Sequence, residues 1–331
     1  MEDLVVENLF SGNNQVQIQA ATQLSKLSSK QRHRLAERGI ISPLVSMLQS
    51  QDFEAIQASL LALLGLAFGS ERNKTRIVKA GIMPILLSLL QCQSEELVEL
   101  TIAAMLILSS CTANKLAIAS SGAIQLLVEI LNNNVTCLSL QARLDTIATL
   151  QNLSTCHQII PSIASSGVIY SLLQVIHFSD KSTELTEKAM ALLETIVSSS
   201  DDSIHETAAI GGAIRIIVEA VEEGSVQCKE HAVGILLNIC QSCREKYRGL
   251  ILREGVMPGL LQLSVDGTWR AKSMARELLL LLRDCSNYGS TSKQSKHELM
   301  EQIMQAIDAD GEKVAGSTLR LVEEMITKLS T

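Results

Sequence analysis

Cys240-Gln241-Ser242-Cys243 is the one C-x-x-C in the sequence. Two thiols at that spacing can share a metal ion or cycle between dithiol and disulfide. A structural zinc site needs four ligands, usually from two such pairs, and no second pair exists. Thioredoxin-type redox work needs a βαβ setting that this chain does not offer. The six histidines, His33, His157, His177, His205, His231 and His297, share no metal-ligand spacing. Asp308-Ala309-Asp310-Gly311 resembles part of a calcium loop. With Gly311 at the sixth position, the first and twelfth would be Ala306 and Ser317, where such a loop needs Asp and Glu. A helix-to-helix turn is the better reading. No G-x-S-x-G, H-E-x-x-H, Walker A or G-x-G-x-x-G occurs. The chemistry-bearing residues therefore predict no enzyme, no cofactor and no metal.

The elements behind those residues keep a beat. Gly39, Gly81, Gly122, Gly167, Gly212 and Gly255 are separated by 42, 41, 45, 45 and 43 residues. Of the 36 positions at offsets +1, +2, +5, +6, +8 and +9 from these glycines, 35 are apolar; the exception is Ser264. Offsets +2, +5, +6 and +9 share one face of an α-helix. Pro43, Pro84 and Pro258 fall three or four residues after a glycine, in the first helical turn, where a missing N–H costs nothing. The glycine itself suits a helix C-terminus with positive φ. Short helices of two or three turns are expected before it, over Asn73–Ala80, Asn114–Ser121 and His157–Ser166. Longer ones are expected over Gln15–Ser28, Glu54–Phe68, Glu95–Ser110, Leu138–Ser154, Thr183–Ser198, Val226–Gln241 and Thr268–Arg283. A period in the forties with one apolar phase predicts a helical solenoid of about six three-helix units, plus a partial N-terminal unit. Residues 1–14 fit an N-terminal cap.

Ser121–Leu131 and Leu150-Gln151-Asn152-Leu153-Ser154 resemble the armadillo repeat, and the resemblance runs over residues 1–285. It implies an all-α, right-handed superhelical solenoid. Gly267-Thr268-Trp269-Arg270-Ala271-Lys272 looks like the start of the final armadillo repeat of plant U-box ubiquitin ligases. Those proteins carry a U-box ahead of the array, and none can be placed in this chain. The resemblance implies an armadillo-only relative. In armadillo proteins the third helix of each unit lines a concave groove, and an asparagine near its end often holds a bound backbone. The aligned residues are Lys26, Gly65, Ile107, Asn152, Thr195 and Asn238. One turn earlier stand Thr22, Leu61, Ala103, Ala148, Ala191 and Gly234, where nuclear-import adaptors carry tryptophan. A reader of basic peptides of that type is not expected. Asn152 and Asn238 are the candidate groove residues. Each amide either pairs with a bound backbone or bridges neighbouring helices. Asp145, Lys188 and His231 share their helical face, and Arg270 and Lys272 form a local positive rim offset by Asp266 and Glu277.

Composition narrows the partners. The 331 residues carry a net charge of −7, and aromatic residues make up 2%. The interior must be Leu, Ile, Val, Ala and Met. Phosphate binding needs clustered Lys and Arg, and base stacking needs aromatic platforms; neither is present, so nucleic acid is not expected. No signal peptide, long apolar run or lipidation motif is seen, which predicts no membrane anchor and a cytoplasmic or nuclear protein, or both. Cys92, Cys111, Cys137, Cys156, Cys228, Cys240, Cys243 and Cys285 read as small hydrophobes. Residues 286–297 form a polar linker. Residues 298–331 carry two amphipathic helices, near Glu298–Ile307 and Lys313–Leu329, expected to cap the array. The expected function is a protein–protein scaffold that takes extended peptide segments or helices along the groove. The alternative is a substrate-binding component of ubiquitin signalling.

Overall fold

The computed structural model describes residues 2–132 and 138–283. The expected linker and the C-terminal helices lie outside the described residues, as do Cys137, Cys285 and the Asp308–Gly311 turn. Among the described residues there is no strand. The chain forms two compact bodies, residues 1–213 and 214 onward.

The first body opens with α1 (Glu2–Leu9) and α2 (Asn14–Ser25), the partial unit. Three-helix units follow: α3 (Ser29–Glu37), α4 (Ile41–Met47) and α5 (Phe53–Ala67), then α6 (Glu71–Lys79), α7 (Met83–Leu90) and α8 (Glu95–Ser109). The next begins with a 3₁₀ turn at Thr112–Asn114, running into α9 (Lys115–Ser120), α10 (Ala123–Asn132) and α11 (Leu140–Ser154). The fourth is α12 (Ile160–Ala164), α13 (Val168–Phe178) and α14 (Glu184–Val197), and α15 (Asp201–Ala209) closes the body. The second body consists of α16 (Ala213–Glu223), α17 (Val226–Ser242), α18 (Arg244–Arg253), α19 (Met257–Asp266) and α20 (Trp269–Leu282). The expected N-terminal cap is the helix α1, packed on α2 and tied to α3 by Arg34–Glu2 (3.0 Å) and Arg38–Asp3 (2.7 Å). α12 has five residues, shorter than the two or three turns expected. Pro161 sits in its first turn, and a proline is tolerated only there, so the helix starts late.

All six beat glycines have positive φ, between 77° and 90°. A side chain added at any of them would meet nothing within 4 Å. Backbone conformation, not crowding, therefore selects glycine at this position. The residues one and five positions after the glycine are buried in every unit, from Ile40 and Leu44 to Val256 and Leu260. Fully burying a side chain of leucine size is worth about 1.5–3 kcal/mol, so this repeated apolar phase is what holds the second helices in place. Ser264, the exception, is buried but satisfied: its hydroxyl donates to the Leu261 carbonyl at 2.7 Å.

Every third helix starts on a capping side chain. Asn13, Asp52, Ser94, Ser139, Thr183, Ser225 and Thr268 each accept a hydrogen bond from a backbone N–H two or three residues on. Each satisfies one of the orphan donors of a helix N-terminus. The C-terminal ends are served differently. Seven residues before the glycine stand Arg32, Lys74, Lys115 and Arg248. The Lys74 ammonium donates to Ser110 Oγ (2.8 Å) at the end of α8, Lys115 to Thr155 Oγ1 at the end of α11, and Arg248 to the Leu282 carbonyl (2.7 Å) at the end of α20. Cations there meet the negative pole of the helix dipole.

Candidate partner-binding groove

In the first body, α2, α5, α8, α11 and α14 stack side by side. Polar side chains along this stack pair with one another. Asn14 Nδ2 donates to Asp52 (2.6 Å), Gln57 Nε2 to Glu96, and the Ser139 N–H to Glu99 (2.6 Å). Near the other end, Gln151 Nε2 donates to Thr195 Oγ1 at 3.3 Å. Asn152 Nδ2 lies 3.1 Å from Ser109 Oγ and 3.4 Å from the Leu106 carbonyl. Of the two roles open to its amide, the Asn152 donor bridges α11 to α8. Asp145, one helical face with Asn152, is half-buried and accepts from Gln141 Nε2 at 2.7 Å. Lys188 is exposed on α14.

Beside these paired groups the stack also presents apolar side chains. Leu61 is 44% exposed and Phe68 is 73% exposed. Leu64, Leu106 and Ile107 are half-buried. At Gly65 an added Cβ would stand 2.8 Å from Arg32 Nη1, so an asparagine there would require the Arg32 side chain to move. A 210 Å³ depression opens between the ends of α5 and α8. Phe68, Gly69, Leu106 and Ile107 line it, with Lys74, Ser110 and Asn152 as its polar edge. Lys74 is 8% exposed and its ammonium contacts Glu71 Oε1 at 2.5 Å. Lys74 beside Glu71, with help from the Cys111 thiol, holds the Glu71 carboxyl below the usual carboxylate range. The ammonium is thus neutralised in place, and the depression is suited to an apolar or amphipathic side chain rather than to an anion.

The second body holds Asn238, His231 and Arg270. Asn238 is half-buried on α17, as far from its cap Ser225 as Asn152 is from Ser139. His231 is half-buried beside Glu230. Arg270 is no isolated positive rim. Its Nη1 contacts Glu230 Oε1 at 3.1 Å, and the Thr268 hydroxyl donates to the other carboxylate oxygen. Burial alone would push the Glu230 carboxyl up. The hydrogen bonds from Thr268 and Arg270, with the Arg270 charge, outweigh it and leave the carboxyl below its ordinary value. Glu277, expected to offset Arg270, instead accepts from Gln241 at 2.7 Å. Cys240 is buried, and that burial pushes its thiol up against the pull of Arg244 and Arg248, away from thiolate reactivity. Among the described residues no group of three His, Cys, Asp or Glu is placed to hold a metal ion, and no single helix is long and apolar enough to cross a membrane.

Sequence reasoning missed Phe68 and Lys74, which line the depression. Phe68 carried a signal. Of the seven aromatic residues described, Phe10, Phe53, Phe68, Tyr170, Phe178 and Trp269 are exposed, and only Tyr247 is buried. In a chain whose core is aliphatic, an aromatic residue marks the surface.

Three-helix units stacked so that their third helices line one wall define an armadillo-repeat protein. The structural neighbours agree. An engineered protein matches with a TM-score of 0.73 at 19% identity, over 100% of this chain and 78% of its own. A computationally designed armadillo repeat protein for modular peptide recognition matches with a TM-score of 0.65 at 21% identity, over 73% of this chain and 100% of its own. A designed armadillo repeat protein in complex with the peptide (KR)4 matches at 0.61 and 20%, over 73% and 99%. The plant U-box protein ARM repeat region matches residues 112–304, more than half of the sequence, and the armadillo/β-catenin-like repeat matches residues 70–110. The chain belongs to the family of plant U-box protein ARM repeat regions. U-box domain-containing protein 45 of Arabidopsis thaliana is 31% identical over 105 residues, 30% of this chain. U-box domain-containing protein 1 of Medicago truncatula is 28% identical over 107 residues, 32% of this chain. The chain spans only 13% and 15% of the length of these two relatives.

Proposed function

We propose that this chain is a non-enzymatic protein-interaction scaffold, and that the third-helix wall of its first body is the surface that takes the partner. Phe68 carries the proposal. It is an aromatic side chain exposed beside a depression whose floor is apolar and whose cation is already paired. Aromatic anchors next to a pocket are the kind of residue that dominates binding energy. The partner is a protein segment that inserts an apolar side chain at the depression and lays backbone across α5, α8 and α11. The polar ladder holds the wall rigid, which lowers the cost of binding. Selection of displayed peptides on the intact chain, followed by affinity measurement on Phe68→Asp, tests this. Peptides that bind the native chain and lose about ten-fold or more on the variant support it, a loss of about 1.4 kcal/mol. Equal binding by both removes the wall as the site.

Membership of the plant U-box ARM family favours one refinement, that the bound segment belongs to a protein handled by ubiquitin signalling. On this reading the chain recognises and a separate component catalyses. Purified chain mixed with ubiquitin, activating enzyme and conjugating enzyme is expected to build no ubiquitin chains. Chains made without any added ligase would overturn the non-enzymatic assignment. The site of action proposed is the cytoplasm or the nucleus, tested by imaging the tagged chain in plant cells.

A further inference from the structure

The outward row of α20 breaks the pattern of the other third helices. Counted from the capping residue, positions four, eight, eleven and fifteen are Ile56, Leu60, Leu63 and Ala67 in α5, all buried. In α17 they are Lys229, Val233, Leu236 and Cys240, and the last three are buried. In α20 they are Lys272, Arg276, Leu279 and Arg283. Arg276 is exposed, its Nη2 donating to the Ser264 carbonyl at 3.2 Å, and the others are half-buried. On the same arc stand Trp269, 87% exposed, and Leu280, 66% exposed. At 100° per residue, these six residues fall within about a third of the helix circumference. The buried arc, Ala271, Ala275, Leu278 and Leu282, is a different one. A terminal helix whose outer face met only water would be polar along that face. This one sets cations between an indole and an aliphatic side chain, a face made for an acidic, amphipathic helix.

The same chain supplies that chemistry. Residues 298–331 contain seven carboxylates against three cations, and within 319–329 Glu323 and Glu324 stand against Arg320 and Lys328. At helical spacing Leu319, Val322, Met325, Ile326 and Leu329 form one apolar face, and Glu323 borders it. Residues 284–318 join the end of α20 to Leu319. Extended, they would reach about 115 Å, several times the length of α20, so the later segment can return along the helix it follows. Attachment in the same chain also raises its effective concentration. We propose that the segment around Leu319–Leu329 docks on the outward face of α20, its apolar residues against Trp269 and Leu280 and Glu323 beside Lys272 and Arg276. This is a contact within the second body, separate from the partner-binding wall proposed above.

Trp269 is the sole tryptophan, so its fluorescence reports on this face alone. In the intact chain it is expected to be shielded from acrylamide and blue-shifted relative to free N-acetyltryptophanamide. Met325→Asp with Ile326→Asp removes the apolar grip, and Glu323→Lys with Glu324→Lys reverses the charge. Either pair is expected to raise the quenching constant about three-fold, as is about 1 M NaCl, which cuts the Debye length to ~3 Å. All four substitutions lie outside α16–α20, so the thermal melt of the array serves as the folding control. A Trp269 quenched in the intact chain as readily as the free amide overturns the proposal. So does shielding that disappears on dilution, which would assign the face to a second copy. Shielding that is independent of concentration and lost in both variant pairs supports it.

Discussion

Gly122 has φ of 90° and open space where a Cβ would sit, so an alanine there costs only backbone strain. Left-handed backbone costs an L-residue about 1–2 kcal/mol, and Gly122→Ala is expected to lose about that much in urea unfolding, with no change in helix content. A wild-type midpoint would show that the turn relaxes to negative φ. Glu230 makes a second residue-scale prediction. Its carboxyl lies below the ordinary 4.5 in the folded chain because Thr268 and Arg270 bond the charged form. A depressed folded value contributes stability that is fully present above the unfolded pKa and is lost as pH falls below it toward the folded value. The native chain is therefore expected to lose more stability than Glu230→Gln between neutral pH and pH values below about 4.5. Parallel curves for the two proteins would contradict the pairing. Asn152 shows why a groove asparagine is a poor sign on its own: its donor is held by Ser109 and Leu106, so Asn152→Ala should weaken the α8–α11 seam before it weakens any partner.

Third helices begin on capping side chains, and that regularity sets their expected sensitivity. Ser139→Ala removes the acceptor for the Ala142 N–H and is expected to cost about 1 kcal/mol. Hydrogen exchange should accelerate over the first turn of α11; unchanged protection there would deny the cap its role. The glycine beat, the apolar phase and the third helices were legible in the sequence, the helices to within a few residues, because each depends on backbone conformation or on a face repeated within a few turns. Lys115 was not legible as a helix-end cation, because its partner Thr155 is 40 residues away. Gln57–Glu96 and Gln151–Thr195 were hidden for the same reason: they depend on how one unit registers against the next. Arg270 misled for the complementary reason, since Asp266 and Glu277 are near in sequence while Glu230, its partner, is a unit away. Phe68 was lost by following a family asparagine position instead of asking why a rare aromatic ends α5.

At the scale of the molecule, the chain belongs to the plant U-box ARM family and stacks its third helices side by side, an arrangement that supports the proposed scaffold role. Its core is aliphatic and six of its seven described aromatic residues are exposed, which on the proposed reading makes them the side chains available for contact. The polar ladder in the first body holds the wall and leaves the partner an apolar floor, so affinity is expected to fall only modestly with added salt, unlike that of a reader of basic or phosphorylated segments. A steep salt dependence would contradict that floor. The most direct measurement of the account is calorimetric titration of one selected peptide into the native chain, Phe68→Asp and Trp269→Asp. The account predicts that Phe68→Asp weakens binding by about ten-fold or more while Trp269→Asp, in the other body, binds as the native chain does. Undiminished binding to Phe68→Asp would contradict it.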